Sequence, residues 1–296
     1  MSTSDIPITH AKPMIKLIVM DFDDTLYDWI GHFMPALDAM IRAGAPLLGV
    51  TEDTLRKQLK VVHEYYGNTE QPFALLETTA AQQCLGSLPW EEQRHALASA
   101  FDAFDEIRAK KLKLYDDVQP ALAKLRKEGI AIVGYSAAPS VNIAKRVKML
   151  DLAHFFDRIY ASPFVGKPFP GHRPPLDQTV PVIELHQPKP DPDAVQYITR
   201  DLGVISMHTL FVGDSLAADI APAIAGGAQA ALVRRETTST DTLLPDLLKV
   251  SHRTAETRAD SGALSDAELA RVPVLGSLAD LWSYFSFAPT TVDTLV

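Results

Sequence analysis

An apolar run at residues 15–19 that stops at the acidic segment MDFDDT, residues 20–25, narrows the choice of fold more than any other part of the sequence. A short, continuous apolar run is typical of a strand that is buried on both faces of a parallel sheet. In an open α/β sheet the ligand crevice lies beyond the carboxyl ends of the strands, so the carboxylates that follow this run are expected to face a site. The segment therefore predicts a buried strand that delivers acidic side chains to a ligand.

Asp21 and Asp23 are two residues apart, so in an extended backbone their side chains lie on the same side. Two like charges held this close repel each other, and burial strengthens the repulsion unless a cation lies between them or one oxygen carries a proton. A hard divalent cation such as Mg²⁺ is the simplest remedy. A turn that caps the following helix is the alternative for an isolated acidic cluster, so other parts of the chain must decide.

Polar residues also occupy three later junctions between predicted strands and helices, in a region that alternates between the two patterns from residue 115 onward. Alternation of this kind predicts an α/β fold with a parallel sheet. The candidate residues at these junctions are Ser136, with Ala137 beside it, after an apolar run at 130–135, Lys189 before a helix that runs to about Asp201, and Asp214, Ser215 and Asp219 after a run at 210–213. Chance explains one such junction easily, but not all four in this order.

Residues 28–114 differ from the rest, because their apolar residues recur at helical spacing throughout and predict an all-helical insertion. Aromatic residues within it, such as Phe33 and Phe104, are expected to belong to its core. Seven prolines between residues 163 and 188 predict an ordered excursion that is not a helix. The polar, threonine-rich stretch 234–272 is expected to contain some helix near residues 243–248.

Charge and composition exclude some classes of partner. The formal net charge is -9, which argues against a nucleic-acid binder, since such proteins normally carry a basic face. A single cysteine, Cys84, suits a reducing compartment, and its apolar neighbours suggest a core position. Because neither a signal-like apolar segment nor a run of membrane-spanning length is found, we expect a cytoplasmic protein without a membrane partner.

The four junctions together resemble the motifs of the haloacid dehalogenase superfamily in the form that its phosphatases carry. These motifs read D-x-D-x-T at residues 21–25, a strand-terminal serine at 136, Lys-Pro-x-Pro at 189–192, and G-D-S-x-x-x-D at 213–219. The resemblance covers residues 15–28 and 115–233. It implies a Rossmann-like parallel-sheet core, residues 1–27 and 115–296, with an inserted all-helical cap of the C1 type, residues 28–114.

The resemblance also implies roles for individual residues in phosphoryl transfer through an aspartyl-phosphate. Asp21 would be the nucleophile, and Asp23 the general acid and then the general base. The remaining roles would be phosphate binding by Thr25, Ser136, Ala137 and Lys189, Mg²⁺ binding by the carboxylates of Asp21 and Asp214 and the backbone carbonyl of Asp23, and support by Ser215 and Asp219. A second Lys-Pro pair begins at Lys167, but Lys189 is favoured because its prolines open a helix and one helix and one strand fit between it and Asp214.

The function that these roles imply is a Mg²⁺-dependent phosphatase acting on a small phosphomonoester metabolite, similar to phosphoglycolate, a sugar phosphate or a nucleotide. Dehalogenases of the superfamily lack the second acid of the first motif, so Asp23 points to an oxygen leaving group. A phosphosugar mutase, which uses the same carboxylates, remains an alternative. A non-enzymatic phospho-accepting module fits less well, because its acidic pair is normally adjacent and no helical insertion follows.

Overall fold

Parallel strands form the centre of the protein. The computed structural model describes residues 12–165, 180–187, 189–236, 239–252 and 264–290. Its strands are β1 (Met14–Ile15), β2 (Leu17–Met20), β3 (Ala131–Pro139), β4 (Arg158–Ser162), β5 (Val182–Glu184), β6 (Thr209–Gly213), β7 (Gln229–Val233), β8 (Val274–Leu275) and β9 (Ser286–Phe287). Seven of them form one sheet in the order β5-β4-β3-β2-β6-β7-β8, in which every pair is parallel, while β1 and β9 pair separately. The predicted α/β class with a parallel sheet is confirmed.

The register of the central strands determines where their carboxyl ends meet. All four residues of β2 are buried, and Met20 pairs with Gly134 of β3 on one side and Val212 of β6 on the other. A Cβ on Gly134 would lie 2.3 Å from the ring of Phe22, so only glycine lets this strand approach so closely. Consequently β2 and β6 end at nearly the same level, immediately before Asp21 and Asp214, and β3 passes beside the end of β2 and carries Ser136 just beyond it.

Helices are the other main kind of element in the described structure. They are α1 (Trp29–Leu47), α2 (Glu52–Tyr66), α3 (Ala74–Glu77), α4 (Thr79–Leu85), α5 (Trp90–Ala96), α6 (Ala98–Lys111), α7 (Val118–Lys127), α8 (Ser140–Met149), α9 (Pro192–Asp201), a π-helix (Leu216–Ile220), α10 (Ala221–Ala225), α11 (Ser239–Leu248), α12 (Asp266–Leu269) and α13 (Leu281–Tyr284). In the described ranges, no single helix has both the length and the apolar character needed to cross a membrane, and α1 with α2 meets that test only as a pair bent by 114°.

Six of these helices, α1 to α6, lie between Asp28 and Leu112. Side-chain caps mark the residues at which α1 and α2 begin. Asp28 accepts the N–H of Gly31 at the start of α1, and Thr51 accepts the N–H of Thr54 at the start of α2. The helices share a hydrophobic cluster that includes Phe33 and is separate from the two clusters on the sheet. Residues 28–114 are thus helical with their own core, apart from isolated bridges at Tyr27 and Leu114.

Several local expectations need correction. Cys84 is exposed, not a core residue, because α4 is short and its buried positions are Ala80 and Ala81. The proline-rich stretch contains the edge strand β5, which the sequence did not predict, and residues 166–179 and 188 lie outside the described part.

Residues 239–252, which we call the crossing segment, leave the sheet after β7 and pack against α1 and α2. Leu247 and Val250 are fully buried in the hydrophobic cluster of these helices. The Lys60 ammonium donates to the carbonyl of Leu248 at 3.0 Å, and His63 Nδ1 lies 2.7 Å from the carbonyl oxygen of Val250. The crossing segment therefore joins the helical insertion to the sheet at a second place.

Candidate active site

Three carboxylates and one ammonium group meet at the carboxyl edge of β2 and β6. Asp21 follows β2, Asp214 follows β6, and Asp219 lies in the π-helix; one carboxylate oxygen from each lies within 4.8 Å of the other two. Lys189 Nζ donates to Asp21 Oδ1 at 2.6 Å and to Asp219 Oδ1 at 2.7 Å. The structure brings together residues that are up to 198 positions apart in the sequence, from Asp21 to Asp219.

Burial determines the electrostatics of this cluster. Burial raises the pKa of the Asp21 carboxyl to about 7, against the attraction of Lys189 and with help from the charges of Asp219 and Asp23. Burial and the Asp21 charge also hold the pKa of Asp214 well above its usual range. Burial opposes the charge on Lys189, but Asp21 and Asp219 raise its pKa above the ordinary value, so it stays protonated. One ammonium does not balance three carboxylates.

This donor set fits a hard divalent cation. Carboxylate oxygens are the ligands that Mg²⁺ prefers, and an added cation would relieve the repulsion that raises the two carboxyl pKa values. Asp21 and Asp214, both predicted as ligands, belong to the trio within 4.8 Å, and its third member is Asp219. The side chain of Asp23 is not a member of this trio.

A hydrogen bond from the turn after β2 orients the Asp21 side chain. Thr25 is completely buried, and its hydroxyl donates to Asp21 Oδ2 at 3.2 Å. Asp24 adopts a left-handed conformation, with a φ of 59°, and its Oδ1 accepts the N–H of Trp29 at 2.9 Å. Thr25 therefore supports the nucleophile candidate directly, and Asp24 ties the turn to the first turn of α1.

Asp219 is held at both oxygens. Its Oδ1 accepts from Lys189, and its Oδ2 accepts the backbone N–H of Ser215 at 3.1 Å. The Ser215 hydroxyl in turn accepts the N–H of Ala218 at 3.0 Å. A Cβ on Gly213 would lie 2.3 Å from the Asp219 carboxyl group, so glycine is required where this side chain folds back. Residues 213–219 thus hold the Asp219 carboxylate in position to accept a hydrogen bond from Lys189.

The last part of β3 contributes Ser136 and Ala137 to the site. Ser136 is buried, and its hydroxyl accepts the N–H of Ala138 at 3.1 Å. Ala137 is exposed and lines the same cavity as Asp21. Ala137 therefore brings the last part of β3 to the wall of the cavity.

A cavity of about 440 Å³ collects most of the predicted site residues, a volume suited to a small metabolite. The predicted residues that line it are Asp21, Asp23, Ala137, Lys189, Asp214, Ser215 and Asp219. Thr25 and Ser136 are buried and contact residues of its wall, while the competing Lys167 lies outside the described residues. The opposite wall comes from the helical insertion and the crossing segment.

Two residues that the sequence did not single out surround Asp23. Arg146 of α8 is buried, and its guanidinium lies 3.3 Å from Asp23 Oδ2 and 2.5 Å from Glu70 Oε1 of the insertion. Burial raises the pKa of Asp23, Arg146 opposes the rise, and Glu70 reinforces it. In the sequence Arg146 looks like an ordinary cation in the last turn of a helix, so no pattern could identify it.

Comparisons with known proteins agree with this geometry. The family model of haloacid dehalogenase-like hydrolases matches residues 15–227. A glyceraldehyde 3-phosphate phosphatase of Methanopyrus kandleri is 28% identical over 226 residues, which cover 75% of this chain and 85% of that protein. A phosphoglycolate phosphatase of Pseudomonas putida is 26% identical over 217 residues, covering 72% and 67%. The crystal structure of a HAD phosphatase from Thermococcus onnurineus, 18% identical, superimposes with a TM-score of 0.58 and covers 93% of this chain and all of that one. The chain belongs to the haloacid dehalogenase-like hydrolases and is an enzyme of that family.

Proposed function

We propose that this hydrolase is a Mg²⁺-dependent phosphatase that cleaves small phosphomonoesters through an aspartyl-phosphate on Asp21. The observation that carries the proposal is the buried cluster in which Lys189 bridges Asp21 and Asp219 beside Asp214. A carboxylate attacks a phosphate dianion poorly because both are negative, so the site must supply positive charge. Relatives named as phosphatases of glyceraldehyde 3-phosphate and phosphoglycolate support a small phosphorylated substrate.

In the first step Asp21 attacks the phosphorus, and the bond from phosphorus to the ester oxygen breaks while Asp23 donates its proton to that oxygen. The raised pKa of Asp23 favours the protonated form that this step needs. In the second step ionised Asp23 accepts a proton from a water that attacks the phosphorus of the aspartyl-phosphate. Inorganic phosphate leaves, and Asp21 is restored.

The phosphoryl oxygens are bound by Lys189 and by groups at the end of β3, where Ala137 faces the cavity. Mg²⁺ would be held by the carboxylates of Asp21 and Asp214 and by the backbone carbonyl of Asp23, and it would supply charge at the phosphoryl oxygens. Ser136, Thr25, Ser215 and Asp219 hold these groups in position through the hydrogen bonds described above.

We further propose the division into a catalytic core, residues 1–27 and 115–296, and a helical cap, residues 28–114. Glu70, a residue of this proposed cap, contacts Arg146, which also contacts Asp23; these contacts support a cap that lies beside the proposed general acid. The cap excludes water while Asp21 attacks and admits it for the second step. We place the enzyme in the cytoplasm, where a single cysteine would be kept reduced.

Hydrolysis of p-nitrophenyl phosphate tests this function. We expect Mg²⁺-dependent release of phosphate that EDTA stops and that Asp21→Asn abolishes. Asp246→Asn is the matched control, because Asp246 is partly exposed, pairs with Lys249 and is not among the described residues that line the cavity. Turnover that ignores chelation or survives Asp21→Asn would reject the mechanism. A mutase would instead convert a sugar phosphate without releasing phosphate, so measuring inorganic phosphate released from a sugar phosphate separates the two functions.

A further inference from the structure

The crossing segment supplies one wall of the catalytic cavity, although it follows the last family motif in the chain. It is held near its start by Arg235, whose guanidinium donates to the carbonyl of Thr25 at 2.9 Å and to the Asp117 carboxylate at 2.9 Å. Near its end, Leu247 and Val250 are fully buried among the cap helices. Anchored at both places, the segment brings the next two residues to the cavity.

These two residues are Ser251 and His252, and both are joined to Thr69 of the cap. Thr69 Oγ1 lies 2.7 Å from His252 Nδ1 and 3.1 Å from Ser251 Oγ, and it accepts the backbone N–H of His252 at 3.3 Å. Thr69 and Ser251 are buried, so these contacts are shielded from bulk water. All three residues line the cavity that contains Asp21 and Asp23. The wall is therefore a built polar surface that combines the cap and the crossing segment.

The charges of this wall restrict what the cavity can hold. Among the described residues that line it, the Lys189 ammonium is the group that is always cationic, and it is engaged by Asp21 and Asp219. The wall opposite offers amide, hydroxyl and imidazole groups, together with the Glu70 carboxylate. Against this described part of the lining, a carboxylate on the organic part of the substrate would meet several acidic groups and no unengaged lysine or arginine, which disfavours it. Hydroxyl and carbonyl groups find hydrogen-bonding partners there.

We propose that Thr69, Ser251 and His252 form the leaving-group subsite, and that this subsite selects phosphate esters whose organic part is uncharged and hydroxylated over esters that carry a carboxylate. The inference rests on the proposed phosphatase function and names its substrate class. The substrates in the names of the two relatives represent these two classes. Glyceraldehyde 3-phosphate has an uncharged organic part, and phosphoglycolate carries a carboxylate.

The first test compares kcat/KM of the wild-type enzyme with Mg²⁺ for glyceraldehyde 3-phosphate, glycerol 3-phosphate and phosphoglycolate, with p-nitrophenyl phosphate as the reference. We expect both uncharged esters to exceed phosphoglycolate by at least tenfold. Equal or greater activity on phosphoglycolate, in a preparation that hydrolyses the aryl ester, overturns this inference alone. No hydrolysis of any ester, the aryl phosphate included, rejects the phosphatase function and the inference with it.

The second test uses substitutions in the subsite to change the preference between the two classes of ester. His252→Arg adds a guanidinium to the wall, and we expect the ratio of kcat/KM for phosphoglycolate to that for glycerol 3-phosphate to rise at least tenfold. Asp246→Arg places the same group on the crossing segment at a position outside the described cavity lining and should leave the ratio unchanged. Thr69→Val, which keeps the side-chain shape, should raise KM for glycerol 3-phosphate more than it lowers kcat. A ratio that His252→Arg does not move, in a variant with a wild-type thermal unfolding profile, contradicts the assignment.

Discussion

Replacing Asp21 with asparagine should stabilise the protein when no divalent cation is present. Burial and neighbouring acids raise the pKa of this carboxyl from 3.8 to about 7, so its ionised form is disfavoured in the folded state. At 1.36 kcal/mol for each unit of pKa, the difference amounts to roughly 4 kcal/mol. Asparagine resembles the protonated acid, and its oxygen can still accept from Lys189.

The sign of the pH dependence follows from the raised pKa. The folded protein binds this proton more tightly than the unfolded chain does, so Asp21 costs no stability well below pH 3.8. The cost grows as the pH rises from about 4 to about 7 and is complete above that range. The advantage of Asp21→Asn should therefore be small in acid and full at pH 8.

Urea-induced unfolding in EDTA at pH 5 and pH 8 measures the effect. We expect the free energy of unfolding of Asp21→Asn to exceed that of the wild type by roughly 4 kcal/mol at pH 8 and roughly 2 kcal/mol at pH 5. Saturating Mg²⁺ should reduce the difference, because the cation binds the folded wild type. Asp246→Asn is the control and should change stability by less than about 0.5 kcal/mol. An Asp21→Asn protein that is no more stable than the wild type at pH 8 would refute the reasoning.

Three further substitutions probe the site and its supports. Lys189→Met should lower kcat/KM for p-nitrophenyl phosphate by at least about 100-fold, because the bridging cation is lost; a residual activity above a tenth would contradict its role. Leu247→Ala should reduce the free energy of unfolding in urea by about 2–5 kcal/mol, since the side chain is completely buried, whereas Leu88→Ala, at an exposed leucine, should cost far less; equal losses would deny the packing of the crossing segment. Gly134→Ala should cost about 1–3 kcal/mol in the same assay, because its methyl group would overlap the ring of Phe22, and unchanged stability would count against that contact.

The sheet and the acidic cluster could be predicted because each depends on a local pattern. The run at 15–19, followed by Asp21, indicates a buried strand that ends at a ligand edge, and the same pattern precedes Asp214. Parallel strands carry their carboxyl ends to one edge, so the meeting of these residues follows from the fold class. Lys189 could be chosen over Lys167 from the helix and strand that separate it from Asp214.

The surroundings of Asp23 and the wall formed by Thr69, Ser251 and His252 depend on contacts between distant parts of the chain, which no local sequence pattern predicts. Arg146 meets Glu70 and Asp23 across separations of 76 and 123 residues, and Thr69 meets His252 across 183. Each of these residues is ordinary in its own segment, and only packing of the helical residues 28–114 against the rest of the chain makes it part of the cavity. The path of the crossing segment could not be predicted for the same reason, because its two fully buried apolar residues, Leu247 and Val250, belong to the hydrophobic cluster of α1 and α2 and not to those of the sheet.

Trapping the phosphorylated enzyme tests the central claim most directly. After rapid mixing with ³²P-labelled glyceraldehyde 3-phosphate and Mg²⁺, acid quenching should leave label on the protein, which hydroxylamine releases and which maps to the peptide that contains Asp21. Asp21→Asn should carry no label, and EDTA should prevent labelling of the wild type. Phosphate release without any protein-bound label, or a label on another residue, would contradict the account.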